Sequence, residues 1–221
     1  LEELKEGFVT LPGGHRVGVI GRAVCRQGRI ETIVEISGLN FRRARDMHGI
    51  AAPLIEQLPK WPCSVLIAAP PRAGKTTLLR DVIRLASQSA WRTVVVDERS
   101  EIGALAQGSV GFDLGLHTDV LDGWPKEEGL LAALRTLGPD LIAVDELSND
   151  AERQAVQQAR HAGVHVLATM HAEADSTFFV QKKEWLKAFD AVVFLSRRDG
   201  AGTLQSIYLP ALKKEVQVCG G

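Results

Sequence analysis

The stretch VLIAAPPRAGKTTLL at residues 65–79 constrains the fold of this chain more than any other part of its sequence. It opens with an apolar run typical of a buried strand and passes through a turn rich in proline and small residues. Apolar residues then recur at helical spacing up to Ala86. The order strand, loop, helix predicts a phosphate-binding loop with a helix that begins directly at it. A chance match in a turn containing glycine and lysine is the alternative, and the flanking strand and helix disfavour it.

The loop suits a nucleoside triphosphate, because a helix start offers unpaired backbone N–H groups and the positive end of the helix dipole to a dense anion. Gly74 lets the backbone approach the phosphates, Lys75 is placed to reach the β- and γ-phosphates, and the Thr76 hydroxyl is placed to bind Mg²⁺. The first glycine of the usual pattern is Ala69 here, which we expect the loop to tolerate since alanine is the smallest replacement. The residues predicted to bind ATP are Pro70, Pro71, Arg72, Ala73, Gly74, Lys75, Thr76 and Thr77.

Composition places the chain among ordinary globular proteins, with 221 residues, 45% hydrophobic and 24% charged. The formal net charge of −1 offers no bulk attraction to nucleic acid, so we expect no nucleic-acid partner and disfavour a nucleic-acid motor. Cys25, Cys63 and Cys219 have neither disulfide nor metal-site spacing, which favours a reducing compartment. No apolar run approaches the roughly 20 residues that span a bilayer, and no signal peptide is visible. Because the chain starts at Leu1 without an initiator Met, we expect further residues upstream.

Residues 1–59 are predicted to form a small α+β N-terminal unit. Alternating apolar residues at 16–24 and 30–36 flank the sequence RQGR, which favours a β-hairpin, and residues 47–58 favour a short helix closed by Pro59. From residue 60 to residue 221, strands and helices alternate, which predicts a mostly parallel sheet covered by helices. The predicted strands after the loop are 93–96, 141–144, 164–168, 191–195 and 204–209, and the predicted helices are 125–137 and 151–161. Residues 103–123 contain five glycines with little periodicity, and we interpret them as a loop on the rim of the site.

Polar residues follow three of the predicted strands, where ligands of open α/β sheets bind. Asp145 and Glu146 follow a strand as in a Walker B motif, so Asp145 is predicted to hold Mg²⁺ and Glu146 to activate water. Glu98 follows another strand and is a rival for the general base. His171 follows a third strand and is a candidate to sense the γ-phosphate. An acidic helix cap and a surface histidine are the plainer alternatives.

Three arginines lie at residues 42–45, ahead of the predicted core. Arg42 and Arg45 are hypothesised to reach the nucleotide of a neighbouring subunit, because guanidinium groups match phosphate geometry. A solvated charged edge is the alternative for them. Arg72 and Arg99 are candidates for the same role within one subunit.

Several of these motifs together resemble the type II and type IV secretion ATPases, which are RecA-like hexameric motors with an acidic box and a histidine box. They are the phosphate loop, DERSE at 97–101, PDLIAVDE at 139–146 and LATMHA at 167–172. Secretion ATPases usually lack the Walker B aspartate, whereas Asp145 is present here, so the division of labour between Glu98 and Glu146 stays open. Adjacency to Asp145 favours Glu146 as base, and the resemblance favours Glu98. Nearly the whole chain resembles the stage III sporulation protein AA family, above all in GFVTLPGGHRVG at 7–18, VDERSEI at 96–102 and TDVLDG at 118–123.

This resemblance implies a RecA-like P-loop NTPase core and Mg²⁺-dependent ATP hydrolysis. It also implies a hexameric ring at the cytoplasmic face of a membrane, working with the channel proteins of a sporulation complex between mother cell and forespore. The alternative is an assembly platform that binds ATP and scarcely hydrolyses it. A small-molecule kinase is less favoured, because no second substrate pocket can be identified.

Overall fold

The structure is a computed structural model that describes residues 2–11, 13, 15–43, 46–105, 111–172, 176–198 and 200–217. The chain divides into two units, one formed by Leu1–Asp46 with Gly103–Asp113 and the other by Met47–Ile102 with Leu114–Gly221. Among the described residues, no helix is long and apolar enough to cross a membrane.

The first unit is a three-stranded antiparallel sheet with a short helix. Its elements are α1 (Glu2–Lys5), β1 (Phe8–Leu11), β2 (His15–Arg26) and β3 (Arg29–Arg42), and the sheet order is β1-β2-β3. Gln27 and Gly28 join β2 to β3 with φ angles of 51° and 77°. A two-residue turn with both φ values positive matches the right-handed twist of the flanking strands. The predicted hairpin is therefore confirmed.

The second unit is an eight-stranded sheet with helices. Its elements are α2 (Ala52–Gln57), β4 (Val65–Ala69), α3 (Lys75–Gln88), β5 (Thr93–Asp97), β6 (Thr118–Asp122), α4 (Lys126–Thr136), β7 (Leu141–Val144), α5 (Asp150–His161), β8 (His165–His171), α6 (Ser176–Gln181), α7 (Lys183–Leu186), β9 (Ala191–Ser196), β10 (Thr203–Leu209) and β11 (Lys214–Gln217). The strand order is β11-β10-β9-β4-β8-β7-β5-β6. All pairs from β9 to β6 are parallel, and the pairs of β10 with β9 and β11 are antiparallel. The predicted mostly parallel α/β fold is confirmed.

The core of this unit lies on the central strands. Every residue of β4, β5 and β7 is buried, as expected for parallel strands that are covered on both faces. Leu66, Ile142 and Val166 pack in one apolar cluster with Leu130 of α4 and Val156 of α5. Each such side chain stabilises the fold by about 1.5–3 kcal/mol. The carboxyl ends of these strands are thereby fixed relative to one another.

Residues 118–122 correct the interpretation of 103–123 as a loop. They form β6, an edge strand parallel to β5, with Val95 opposite Val120. The sequence TDVLD does not predict a strand, because an edge strand pairs with only one neighbour and is only partly buried. Acidic residues can therefore occur in it.

Residues 47–59 group with the second unit rather than with the first. The backbone N–H of Ala51 donates to the buried carboxylate of Asp81 at 2.8 Å, and Leu54 of α2 is buried. Burial works against the ionised form of Asp81, but hydrogen bonds from Ala51 and Arg84 outweigh it and hold the pKa below its usual range. This contact ties the segment before β4 to α3.

Candidate functional site

The predicted phosphate loop connects β4 to α3. Helix α3 begins at Lys75, and Gly74 is its N-cap with φ 89° and ψ 14°, in the left-handed region that favours glycine. A Cβ at Gly74 would lie 2.9 Å from the backbone nitrogen of Gly202. That nitrogen donates to the carbonyl of Ala73 at 2.8 Å, so the connection between β9 and β10 packs directly on the loop. Glycine at residue 74 is therefore required by both backbone angle and space.

Lys75 is buried at the centre of the site. Its Nζ donates to the carbonyls of Ala69 at 3.1 Å and Pro70 at 3.2 Å, and it lies 3.1 Å from Nδ1 of His171. Burial lowers the pKa of the Lys75 ammonium, and the nearby carboxylates of Asp145 and Glu146 oppose that shift. The side chain thus folds back on its own loop, where polyphosphate oxygens would replace the carbonyls as acceptors.

Asp145 follows β7 and contacts the first turn of α3. Its Oδ2 accepts a hydrogen bond from Thr76 Oγ1 at 2.9 Å, and its Oδ1 accepts one from the Thr169 hydroxyl. A threonine hydroxyl next to an aspartate oxygen is the donor set with which phosphate-loop proteins hold Mg²⁺ beside substrate phosphates. The residues present therefore fit the ion that the sequence analysis predicts.

Glu146 has an uncommon backbone conformation, with φ 51°. Its N–H donates to Asp145 Oδ1 at 3.0 Å and Thr169 Oγ1 at 2.9 Å, and its carbonyl accepts from Lys126 Nζ at 3.1 Å. A left-handed conformation costs a non-glycine residue about 1–3 kcal/mol, and the hydrogen bonds on both sides of Glu146 offset that cost. The carboxylate is thereby directed toward β8.

Both oxygens of the Glu146 carboxylate have partners. Oε1 lies 2.8 Å from His171 Nε2, and Oε2 accepts from Arg99 Nη1 at 3.1 Å. Because an ammonium can only donate, Lys75 donates a hydrogen bond to Nδ1 of His171, so Nδ1 is the unprotonated ring nitrogen and the protonated Nε2 donates to Glu146. A continuous chain of hydrogen bonds runs from Lys75 through His171 to Glu146.

Glu98 follows β5 and is paired with a buried lysine. Lys126, at the start of α4, places Nζ 3.1 Å from Glu98 Oε2 and 3.7 Å from Glu152 Oε1. Asp97, the residue before Glu98, is buried and accepts hydrogen bonds from the backbone N–H groups of Glu101 at 2.8 Å and Ile102 at 2.9 Å. Asp97 therefore shapes the turn after β5.

The structure brings part of the predicted site together. Lys75, Thr76, Asp145, Glu146 and His171 form one hydrogen-bonded cluster, and Glu98 joins it through Lys126. Of the other loop residues, Ala73 is buried, Pro70 and Thr77 are half-buried, and Pro71 and Arg72 are exposed. Arg42 is exposed at the end of β3 in the first unit. Arg45 lies outside the described residues, as do Leu1 and Cys219.

Two residues of the cluster escaped the sequence analysis. Thr169 lies two residues before His171 and contacts Asp145, and the alternation of a strand puts residues 169 and 171 on the same face. The two-residue spacing from His171 could therefore have predicted that Thr169 belongs to the site. No sequence signal marked Lys126, because a lysine ahead of two glutamates at a helix start is typical of a solvated helix end.

Comparison of the sequence with known proteins finds relatives of this chain. A sequence model of the family described as "Sporulation stage III, protein AA" matches residues 1–213. The chain is 41% identical over 218 residues to stage III sporulation protein AA of Bacillus subtilis (strain 168), covering 94% of this chain and 71% of that relative.

The solved structures that share the fold include an ATPase and a pilus retraction motor. The ATPase DotB of Legionella pneumophila superposes with a TM-score of 0.60 at 16% identity, over 94% of this chain and 64% of DotB. The pilus retraction motor PilT, solved with bound ADP, superposes with a TM-score of 0.59 at 17% identity, over 87% of this chain and 60% of PilT. The chain therefore spans less than two thirds of either protein. At these identities the likeness shows the architecture alone.

Proposed function

Since this chain belongs to the sporulation stage III protein AA family and has the fold of secretion ATPases, we propose that it is an Mg²⁺-dependent ATPase. The observation that carries the proposal is the cluster at the loop, where Lys75 and the pair Thr76–Asp145 lie together at the start of α3. A buried ammonium, a helix N-terminus and a hydroxyl–carboxylate pair are the groups that hold a polyphosphate and its metal ion.

Each group has a role in binding. Nζ of Lys75 exchanges the carbonyls of Ala69 and Pro70 for phosphate oxygens, and the first N–H groups of α3 face the same anion. Thr76 and Asp145 would hold Mg²⁺, which supplies charge neutralisation for the phosphates. The tight packing of Gly202 on the loop keeps these donors in place before substrate arrives.

Glu146 is the proposed general base, which takes the proton of the water that attacks the γ-phosphorus. Strand β7 is two positions from β4 in the sheet, whereas β5, which carries Glu98, is three positions away. At about 4.8 Å per strand, the start of the Glu98 segment is farther from the loop by one strand spacing. Glu98 is also held by a cation that is only 10% exposed, while Arg99 on Glu146 is 63% exposed.

That difference in exposure between the two cations supports Glu146 as the carboxylate that is released more easily. An exposed ion pair contributes about 0–1 kcal/mol, whereas the buried Lys126 loses one of its two carboxylate partners when Glu98 moves away. Arg99 can leave Glu146 for a phosphate oxygen at small cost, and His171 can turn its donor to the γ-phosphate in the same step. Glu98 would have to leave Lys126, whose buried ammonium would then keep only the Glu152 carboxylate and the Glu146 carbonyl as acceptors.

In the cell, we propose that the ATPase works as a homo-oligomeric ring, on the hexameric plan, at the cytoplasmic face of a membrane. Its turnover would energise assembly of, or transport through, a sporulation channel between mother cell and forespore. Family membership and the secretion-ATPase fold support this proposal.

Substitution Lys75→Ala tests the enzyme assignment. We expect ATP turnover to be lost while the far-ultraviolet circular dichroism spectrum and unfolding midpoint stay close to those of the parent chain, because Lys75 supplies phosphate charge and no apolar packing. Lys187→Ala is the matched control, since Lys187 pairs with Glu184 on the surface. Turnover that survives in Lys75→Ala contradicts the phosphate-loop assignment. ATP binding without any turnover in the parent chain would favour the assembly platform instead.

A further inference from the structure

Lys126 is a buried lysine that the proposed mechanism does not use. Its side chain is 10% exposed, and its Nζ faces three acceptors from different elements. They are Glu98 Oε2 after β5, the carbonyl oxygen of Glu146 after β7, and Glu152 Oε1 in the first turn of α5. A buried ammonium requires such pairing, since an unpaired charge in the interior is costly.

The partners of Lys126 differ in rigidity. Glu152 is part of a capping box, in which Asn149 Oδ1 accepts from the Glu152 N–H at 2.9 Å and the Glu152 carboxylate accepts from the backbone of Ser148 and Asn149. That carboxylate is therefore fixed to the start of α5. The ion pair with Glu152 therefore ties the Lys126 ammonium to a carboxylate that has little freedom to move.

The contact with the carbonyl of Glu146 is the one that bears on chemistry. Glu146 has φ 51°, and its N–H is already held by Asp145 and Thr169. The peptide group on the other side is held at both of its polar atoms, since the Glu146 carbonyl accepts from Lys126 and the N–H of Leu147 donates to the carbonyl of Thr169 at 2.9 Å. Two fixed peptide groups determine where the side chain between them points.

We propose that Lys126 is a positioning residue that, as the hydrogen-bond donor to the Glu146 carbonyl, contributes to the left-handed backbone conformation of Glu146 and so directs the base at the attacking water. This inference rests on the proposed ATPase function. Lys126 also links Glu98 to the same point, which gives the acidic segment after β5 a structural part in the site. A displacement of about 1 Å in a catalytic group can cost about 10²-fold in rate.

The test is a double-mutant cycle measured by single-turnover ATP hydrolysis at saturating nucleotide. Lys126→Met should lower the rate by about 10-fold to 10²-fold in the parent chain while leaving the affinity for a fluorescent ATP analogue unchanged. In a Glu146→Gln background, the same substitution should have little further effect, because residues that act as a unit are not additive. Lys187→Met is the control for loss of a surface lysine.

The other outcomes are distinguishable. An equal loss in both backgrounds, or a weakened affinity for the analogue, shows a general structural role and overturns the inference. A loss that vanishes in Glu98→Gln but persists in Glu146→Gln shows action through Glu98 and overturns it as well. If the parent chain has no turnover that depends on Lys75, the proposed function fails first.

A second variant covers the case in which Lys126→Met does not fold. Lys126→Arg keeps a cation between Glu98 and Glu152 but replaces the compact ammonium at the Glu146 carbonyl with a planar guanidinium of different donor geometry. The same cycle should then show a smaller loss that again disappears in Glu146→Gln. A rate equal to that of the parent chain overturns the inference.

Discussion

At the scale of single residues, the site is a set of charges whose value depends on burial. Lys75 and Lys126 are buried cations with several acceptors each, but the acceptors of Lys75 include carbonyls of its own loop, whereas those of Lys126 include two carboxylates. Arg99 and His171 are about half exposed or more, and water or phosphate can replace the contact that each of them makes to Glu146. The buried groups therefore set the geometry of the site, and the exposed groups can exchange their contact to Glu146 for one to the substrate.

Glu146→Gln and Glu98→Gln separate the two candidate bases. We expect Glu146→Gln to bind ATP and lose catalysis by about 10²-fold or more, because an amide cannot accept the proton of water. Glu98→Gln should lose less, since its carboxylate serves as a partner for Lys126. Single-turnover rates of both variants, with ATP affinity measured alongside, decide the assignment. A larger loss in Glu98→Gln would reverse the roles proposed for the two residues.

At the scale of elements, the phosphate loop is shaped by a connection distant in sequence. The turn before β10 lies on the loop, because the N–H of Gly202 donates to the carbonyl of Ala73. Gly202 and Gly74, the residue after Ala73, both have positive φ. Neither backbone can move away without breaking that hydrogen bond. The antiparallel edge of the sheet, formed by β9 and β10, thus supports a loop that belongs to its parallel part.

Gly74→Ala should therefore impair the loop more than backbone strain alone does. The new Cβ would meet two backbone atoms of Gly202, at 2.9 and 3.2 Å, in addition to the cost of about 1–3 kcal/mol for a left-handed non-glycine residue. We expect a lower unfolding midpoint and weaker ATP binding. Gly163→Ala is the matched control, because Gly163 also has positive φ but open space around its Cβ position. Equal effects of both variants on ATP affinity would refute a role for the Gly202 contact.

At the scale of the whole molecule, we expect ATP turnover to depend on assembly of the chains. Arginines that arrive at the γ-phosphate during transfer contribute about 10³ to 10⁵ in rate. If Arg42 and Arg45 supply this group to a neighbouring subunit, specific activity should rise with protein concentration. Mixing Lys75→Ala chains with Arg42→Ala/Arg45→Ala chains should then restore part of the turnover, since some interfaces join an intact loop to an intact arginine.

The control for this experiment is Arg22→Ala, an exposed arginine of the first unit that pairs with Glu35. Chains with that substitution should behave as the parent chain does, alone and in mixtures. Activity per chain that stays flat upon dilution, together with an inactive mixture, would return Arg42 and Arg45 to a solvated edge.

The sequence by itself determined the elements whose signals are local. The phosphate loop before α3, the hairpin of β2 and β3, and the apolar strands β5, β7 and β8 follow from residue spacing, turn chemistry and continuous burial. It also placed Asp145, Glu146 and His171 at strand ends, because polar residues after buried strands stand out. The edge strand β6 was missed, since an exposed edge imposes no apolar pattern.

Only the tertiary structure decided which of these ends meet. The order β9-β4-β8-β7-β5 puts β8 beside the loop, so His171 reaches both Lys75 and Glu146. The same order lets Lys126 join residues from three elements. Strand order arises from the summed packing of helices on a sheet, and no local stretch of sequence records it. A lysine becomes buried and paired only when distant carboxylates and carbonyls converge around it.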